Sequence, residues 1–245
     1  MTQVSSDNVV VIAQRNDRER DRLYTILTSD DIVRTVRGTG ARKHGAKIAP
    51  HMEPLLYTHI MVARNRGRGV VTFALCEESF SALRTQVSLF TTARSLLLAV
   101  ERLTRDNMTV PRLFSLIYVS LHSANNIVER TRCIGGADTI LLWAMFHTLA
   151  LLGWPLSVSR QCVQCADAAP THCVFDVAAL WCGRCATRAR HAQAISRDVA
   201  ALLHIFATHT PHATHPATLA KVTVPASVRR ETRRLLLSRI RYVAA

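Results

Sequence analysis

The chain has 245 residues, 49% hydrophobic and 20% charged, which excludes a wholly disordered protein and allows one large or two modest cores. Its formal net charge is +14, and of 31 cations only Lys43, Lys47 and Lys221 are lysines. That balance fits a nucleic acid, an acidic protein surface or an anionic membrane, and arginine suits bidentate contacts to phosphate and carboxylate.

The N-terminus, MTQVSSDNVVVIAQRNDRER, lacks the regions of an export signal. Seven cysteines without such a signal point to a reducing, intracellular compartment rather than a disulfide framework. NVVVIAQ (8–14) reads as a short strand. DRERDRLYTIL (17–27) reads as a helix with charges at i,i+4 spacing, and Ser29-Asp30-Asp31 caps a further helical turn, IVRTVRG, closed by Gly38. Residues 38–50 form a basic loop. LLYTHIMVA (55–63) and GVVTFALCE (69–77) predict a β-hairpin around RNRGR, with Arg64, Arg66 and Arg68 near its tip as candidate phosphate contacts.

From residue 79 the period becomes helical. Phe80, Leu83, Val87, Phe90, Leu97, Val100 and Leu103 make one stripe. Thr109 is the expected cap of a second helix, whose apolar face is Leu113, Ile117, Leu121, Ala124 and Val128. Asp138 or Thr139 is the expected cap of a third, apolar all round and stopped by Gly153 and Pro155. Its apolar run, ILLWAMFHTLALLGW (140–154), falls short of the roughly 20 residues of a membrane span, so no transmembrane segment is expected. Residues 186–207 read as helix, THTPHATHPAT (208–218) as linker with His204, His209, His212 and His215 clustered near it, and 228–243 as a basic amphipathic helix. Arg229, Arg230, Arg233 and Arg234 lie on that last helix, opposite Leu236, Ile240 and Val243.

CVQCADAAPTHCVFDVAALWCGRC (162–185) holds two CxxC pairs. Each places two thiolates on one side of a tight turn, and the intervening residues leave room for a short hairpin, so the pairs together complete a tetrahedron. Cys162, Cys165, Cys182 and Cys185 are the expected ligands of a structural zinc ion (Zn2+), ahead of His172, Cys173 and His191. Four thiolates close the shell, which argues against a catalytic metal. The knuckle, hairpin and CGRC leading into a helix resemble treble-clef and zinc-ribbon modules over about residues 162–203. With low glycine and heavy arginine and histidine, the chain as a whole is similar in style to accessory proteins of large DNA viruses, herpesviruses especially. That resemblance implies a role in viral gene expression, replication or assembly in the host nucleus.

No P-loop, GxSxG or paired-carboxylate constellation is present, so no enzyme is expected. The expected architecture is mostly α (α+β): an N-terminal part with the basic hairpin (1–78), a helical core (79–158), a zinc module with its following helix (159–207), a linker (208–224) and a basic helix (225–245). The expected function is a non-enzymatic regulatory protein that associates with nucleic acid or a nucleoprotein complex through Arg64, Arg66, Arg68, Arg184, Arg188, Arg229, Arg230, Arg233 and Arg234. A scaffold or adaptor subunit of a protein assembly is the alternative. Aromatic residues are only 6%, and no stacking series of the RRM or OB kind stands out.

Overall fold

The computed structural model describes residues 3–64, 68–166 and 168–245. The chain divides into two units, Met1–His122 and Ser123–Ala245. Helices predominate, and the larger sheet is N-terminal, as expected of the mostly α (α+β) class.

The first unit is built on strands β1 (Gln3–Asp17), β2 (Asp21–Thr28), β3 (Ile32–Gly38), β4 (Tyr57–Arg64) and β5 (Val70–Glu78). β1 pairs antiparallel with β2 and β4, β2 with β3, and β4 with β5. The ring closes where β3 meets β5 in parallel at Arg37 and Val70. The result is a five-stranded barrel of the OB type, which leaves no long sheet edge open. Alternate residues fill it: Val9, Val11, Tyr24, Ile26, Val36, Ile60, Val62 and Val71 are all buried. A register shift between Val11 and Ala13 bends the long β1.

Three expectations for this region are corrected. Residues 17–27 are a tight turn (18–20) leading into strand β2, IVRTVRG is strand β3, neither is helix, and the hairpin at 55–77 is two strands of a larger barrel. The charge spacing in DRERDRLYTIL is compatible with a helix, but Tyr24, Thr25, Ile26 and Leu27 gain more from pairing on both sides, with β1 and β3, than an isolated helix could supply.

After the barrel come α1 (Ser81–Thr85), α2 (Val87–Leu103), a short strand β6 (Met108–Thr109) against β3, and α3 (Leu113–Thr131). α2 packs on β1, where Arg94 Nη1 donates to the Ile12 carbonyl at 3.1 Å. The first turn of α3 is capped from a distance. The Asp31 carboxylate accepts the backbone N–H of Arg112 at 2.7 Å and of Phe114 at 2.8 Å. Thr109, the expected cap, lies in β6 instead.

The second unit holds the rest of α3, then α4 (Ile134–Leu151), β7 (His172–Val174), β8 (Ala179–Trp181), α5 (Gly183–Ala186), β9 (Ala192–Ala194), α6 (Arg197–Thr208) and α7 (Ala226–Ala244). α4 is long and apolar enough to cross a membrane, with mean hydropathy 1.4, but 72% of it is buried. It is buried all round, from Thr139 to Leu149. Trp143 Nε1 donates to the His209 carbonyl at 2.6 Å, and His147, whose pKa burial lowers, bonds the Phe206 carbonyl at 3.0 Å. These bonds tie down the start of the segment expected as a linker, which continues into a 3-10 turn, Pro216–Lys221, seated on α4.

Gly136 permits that seat, because a Cβ there would lie 2.8 Å from the Ala220 carbonyl oxygen. Gly136→Ala would raise helix propensity by up to about 1 kcal/mol, yet overpacking costs roughly 1–3 kcal/mol. A net loss of about 1 kcal/mol is therefore expected, read as a lower thermal midpoint; an unchanged or raised midpoint would contradict this contact.

The helix expected over 186–207 is interrupted. Residues 192–194 pair with β7, and α6 begins only after Ser196, whose hydroxyl caps the Val199 N–H. Glu231 of α7 in turn accepts from the Ser196 N–H at 2.7 Å and its hydroxyl at 2.9 Å.

Candidate metal centre and arginine surfaces

The four CxxC cysteines converge. The Sγ atoms of Cys162, Cys165, Cys182 and Cys185 all lie within 4.8 Å of one another, and Cys165 and Cys182 are 3.8 Å apart. A tetrahedral zinc with Zn–S bonds near 2.3 Å requires S–S edges of about 3.8 Å, which the Cys165–Cys182 edge already matches, so the donor set fits the ion. Local backbone geometry makes the convergence. A turn after Cys162 is closed by the Ala166 N–H on the Cys162 carbonyl at 2.8 Å. The β7–β8 hairpin then returns the chain so that Cys182 sits at the start of α5, with Cys185 one turn on.

The electrostatics call for a cation. Burial alone would raise the Cys162 thiol, but the backbone N–H groups of Cys182, Cys165 and Gln164 and the Cys165 thiol bring it down to about 6. Burial and hydrogen bonds to its three neighbours push Cys185 up to about 12. Four sulfurs this close cannot all be thiolates unless a dication neutralises them. The four-cysteine cluster is consistent with a structural zinc site, in which four thiolates would leave no open ligand position.

The other candidates lie elsewhere in the module. His172 Nδ1 faces the Thr171 hydroxyl at 2.9 Å. Cys173 is buried on β7, opposite Leu180, and burial pushes its thiol up to about 12. His191 Nδ1 bonds the Asp176 carboxylate at 2.8 Å. Among the described residues, no second group could hold a metal, the clustered histidines included.

The arginines separate into structural and exposed sets. Arg229 Nε pairs with Asp138 at 3.0 Å, both largely buried, and Arg233 is half-buried. Arg230 and Arg234 are exposed, as are Arg184 and Arg188 on the zinc module. Arg241, not singled out from the sequence, joins the exposed set. In the first unit, Arg64 and Arg68 line a polar cavity of about 440 Å³ at one end of the barrel with Arg34, Thr35, Gly69, Asp106 and Asn107. Arg66 lies outside the described residues. A helical reading of IVRTVRG conceals Arg34; strand alternation puts it on the face of Val36, at the barrel mouth.

The family model for the C-terminal part of Recombination protein O matches residues 87–244. The chain belongs to the Recombination protein O family. The match runs from α2 to α7 and includes the metal centre. The DNA repair protein RecO of Roseiflexus sp. (strain RS-1) is 31% identical over 157 residues, 63% of this chain and 52% of that protein. The DNA repair protein RecO of Halalkalibacterium halodurans is 25% identical over 202 residues, 80% of this chain and 75% of that protein. The chain thus spans about half the length of the first relative and three quarters of the second. This membership overturns the resemblance to viral accessory proteins, and with it the viral role and the host nucleus: both relatives are bacterial. Arginine-rich, histidine-rich composition carries no lineage information of its own. Recombination protein O membership agrees with a non-enzymatic protein.

Proposed function

We propose that this chain is a non-catalytic DNA-repair and recombination protein that binds nucleic acid electrostatically. The observation that carries this reading is the barrel-end cavity where Arg34, Arg64 and Arg68 meet. OB-type barrels bind oligonucleotides through strands 2 and 3 and the loops joining strands 1–2 and 4–5, and Arg64 and Arg68 flank the β4–β5 connection. The names of the relatives and the net charge of +14 point the same way. In the second unit, Arg184, Arg188, Arg230, Arg234 and Arg241 offer further phosphate contacts. The zinc ion shapes that part of the chain and takes no part in chemistry.

The test is fluorescence anisotropy of zinc-loaded protein with single-stranded and duplex DNA across a salt series. Log affinity is expected to fall linearly with log salt, with a slope of about −0.7 per phosphate contact for single strands and −0.9 for duplex. Arg34→Ala with Arg64→Ala is expected to flatten the slope by about 1–2. A salt-independent affinity, or no binding at low salt, would overturn the proposal.

A second reading, contact with a protein partner, rests on the outer face of β1, β4 and β5. Val4, Met61, Phe73 and Leu75 are all exposed there, although Met61 pairs with Phe73 across the strands. Phe73→Glu with Leu75→Glu would leave DNA affinity unchanged under this reading.

A further inference from the structure

We infer that the arginine-lined cavity at the barrel end receives the terminal phosphate of a nucleic acid strand, an inference that rests on the nucleic-acid reading above. The side chains converge from three segments: Arg34 and Thr35 from β3, Arg64 and Arg68 from either side of the β4–β5 connection, and Asp106 and Asn107 from the turn before β6. The cavity measures about 440 Å³, ample for a phosphate and its sugar.

Two features distinguish this cavity from a solvated basic surface. The Nε atoms of Arg34 and Arg64 are both buried and have no hydrogen-bond partner among the described residues. Among those residues, no carboxylate forms an ion pair with Arg34, Arg64 or Arg68. A phosphate engages a guanidinium through two parallel N–H bonds, and with Nε shielded the terminal Nη groups are the edge that a phosphate in the cavity would meet. Asp106, the one carboxylate in the lining, accepts the Thr35 N–H at 2.7 Å and so serves the backbone.

Charge selects the kind of phosphate. Three guanidinium groups and one carboxylate give the lining a formal charge of +2. A backbone diester carries −1 and two free oxygens, whereas a terminal monoester carries about −1.5 to −2 at pH 7 and three. A single monoester matches the charge and offers one oxygen to each guanidinium. Depth is limited as well. Behind Arg34 and Arg64 lies a smaller cavity of about 100 Å³, lined by Asp7 and Asp30 among others. Those carboxylates oppose an anion, so the phosphate stops at the arginines and the strand leads outward.

The experiment measures the affinity of zinc-loaded full-length protein for one 20-nucleotide DNA sequence in four forms: 5′-phosphorylated, 3′-phosphorylated, with both ends hydroxyl, and closed into a single-stranded circle. At constant salt, one phosphorylated end is expected to bind about tenfold more tightly than the hydroxyl-ended strand. The circle is expected to bind no better than the hydroxyl-ended strand. The ratio of phosphorylated to hydroxyl affinity should fall to near one in Arg34→Ala. Arg34→Lys, which keeps the charge but loses the bidentate edge, should lower the ratio in a chain whose folding circular dichroism confirms. Tight binding with equal affinity for all four forms would overturn this inference and leave the nucleic-acid reading standing. No binding of any form would overturn that reading itself.

Discussion

Cys182→Ala is expected to abolish stoichiometric zinc and unfold the cysteine module. Structural zinc in small modules contributes an apparent ~10–16 kcal/mol near neutral pH, comparable to or larger than the ~5–15 kcal/mol that stabilises a typical domain. The module has little else to hold it: β7, β8 and β9 are three residues each, and α5 is a single turn of four. Metal analysis should give one zinc per chain in the natural protein and much less in the variant, with hydrogen exchange over 162–195 rising toward free-peptide rates. Chelation at neutral pH should reproduce both effects. Zinc must displace protons from these thiols, notably Cys185, so occupancy is expected to fall as pH is lowered. Cys173→Ala should retain the metal. Full zinc in Cys182→Ala, or its loss in Cys173→Ala, would show that the ligand set is wrong.

The second large effect is expected at Arg239, which fastens α7 to the zinc module. Its Nη1 donates to the Phe175 carbonyl, its guanidinium lies 5.7 Å from the centre of the Tyr242 ring, and the residue is only 5% exposed. Burial lowers its pKa, and the nearby Cys173 thiol is held protonated by its own burial, so this is no ion pair. A buried cation held by a carbonyl and a ring depends on its neighbours staying in place. Tyr242 adds a hydrogen bond from its hydroxyl to Asp176 at 2.8 Å; bonds from His191 and then Tyr242 hold that carboxyl down at about 2. Arg239→Ala removes the packed stem and strands the Phe175 carbonyl, a cost of about 3 kcal/mol. Arg239→Met keeps most of the stem and strands only the carbonyl, about 1–2 kcal/mol. Urea denaturation of the zinc-loaded proteins measures both. An alanine variant within about 0.5 kcal/mol of the natural protein would mean that α7 is held by Leu235, Leu236 and Ile240 alone.

The sequence by itself determined the metal centre, because a CxxC spacing acts over four residues and the two pairs are joined by a short hairpin. It also determined α4 as a buried helix, since thirteen of its residues are buried and nearly all are apolar. Only the tertiary structure decided the barrel. DRERDRLYTIL and IVRTVRG satisfy a helical pattern locally, and their strand conformation depends on partners in other segments, as far along the chain as Val70, Met108 and Thr109. The same cause hid Arg34, whose meaning depends on which face of a strand it occupies. It hid the cap of α3 too, because Asp31 reaches Arg112 and Phe114 across more than eighty residues of chain. Arg229 reads from the sequence as one of a set of exposed phosphate contacts, but packing makes it a buried ion pair, and Arg239 on the same helix becomes a clamp. Chemistry carried by neighbours in the chain is legible in the sequence; chemistry carried by neighbours in space appears only once the chain has closed on itself.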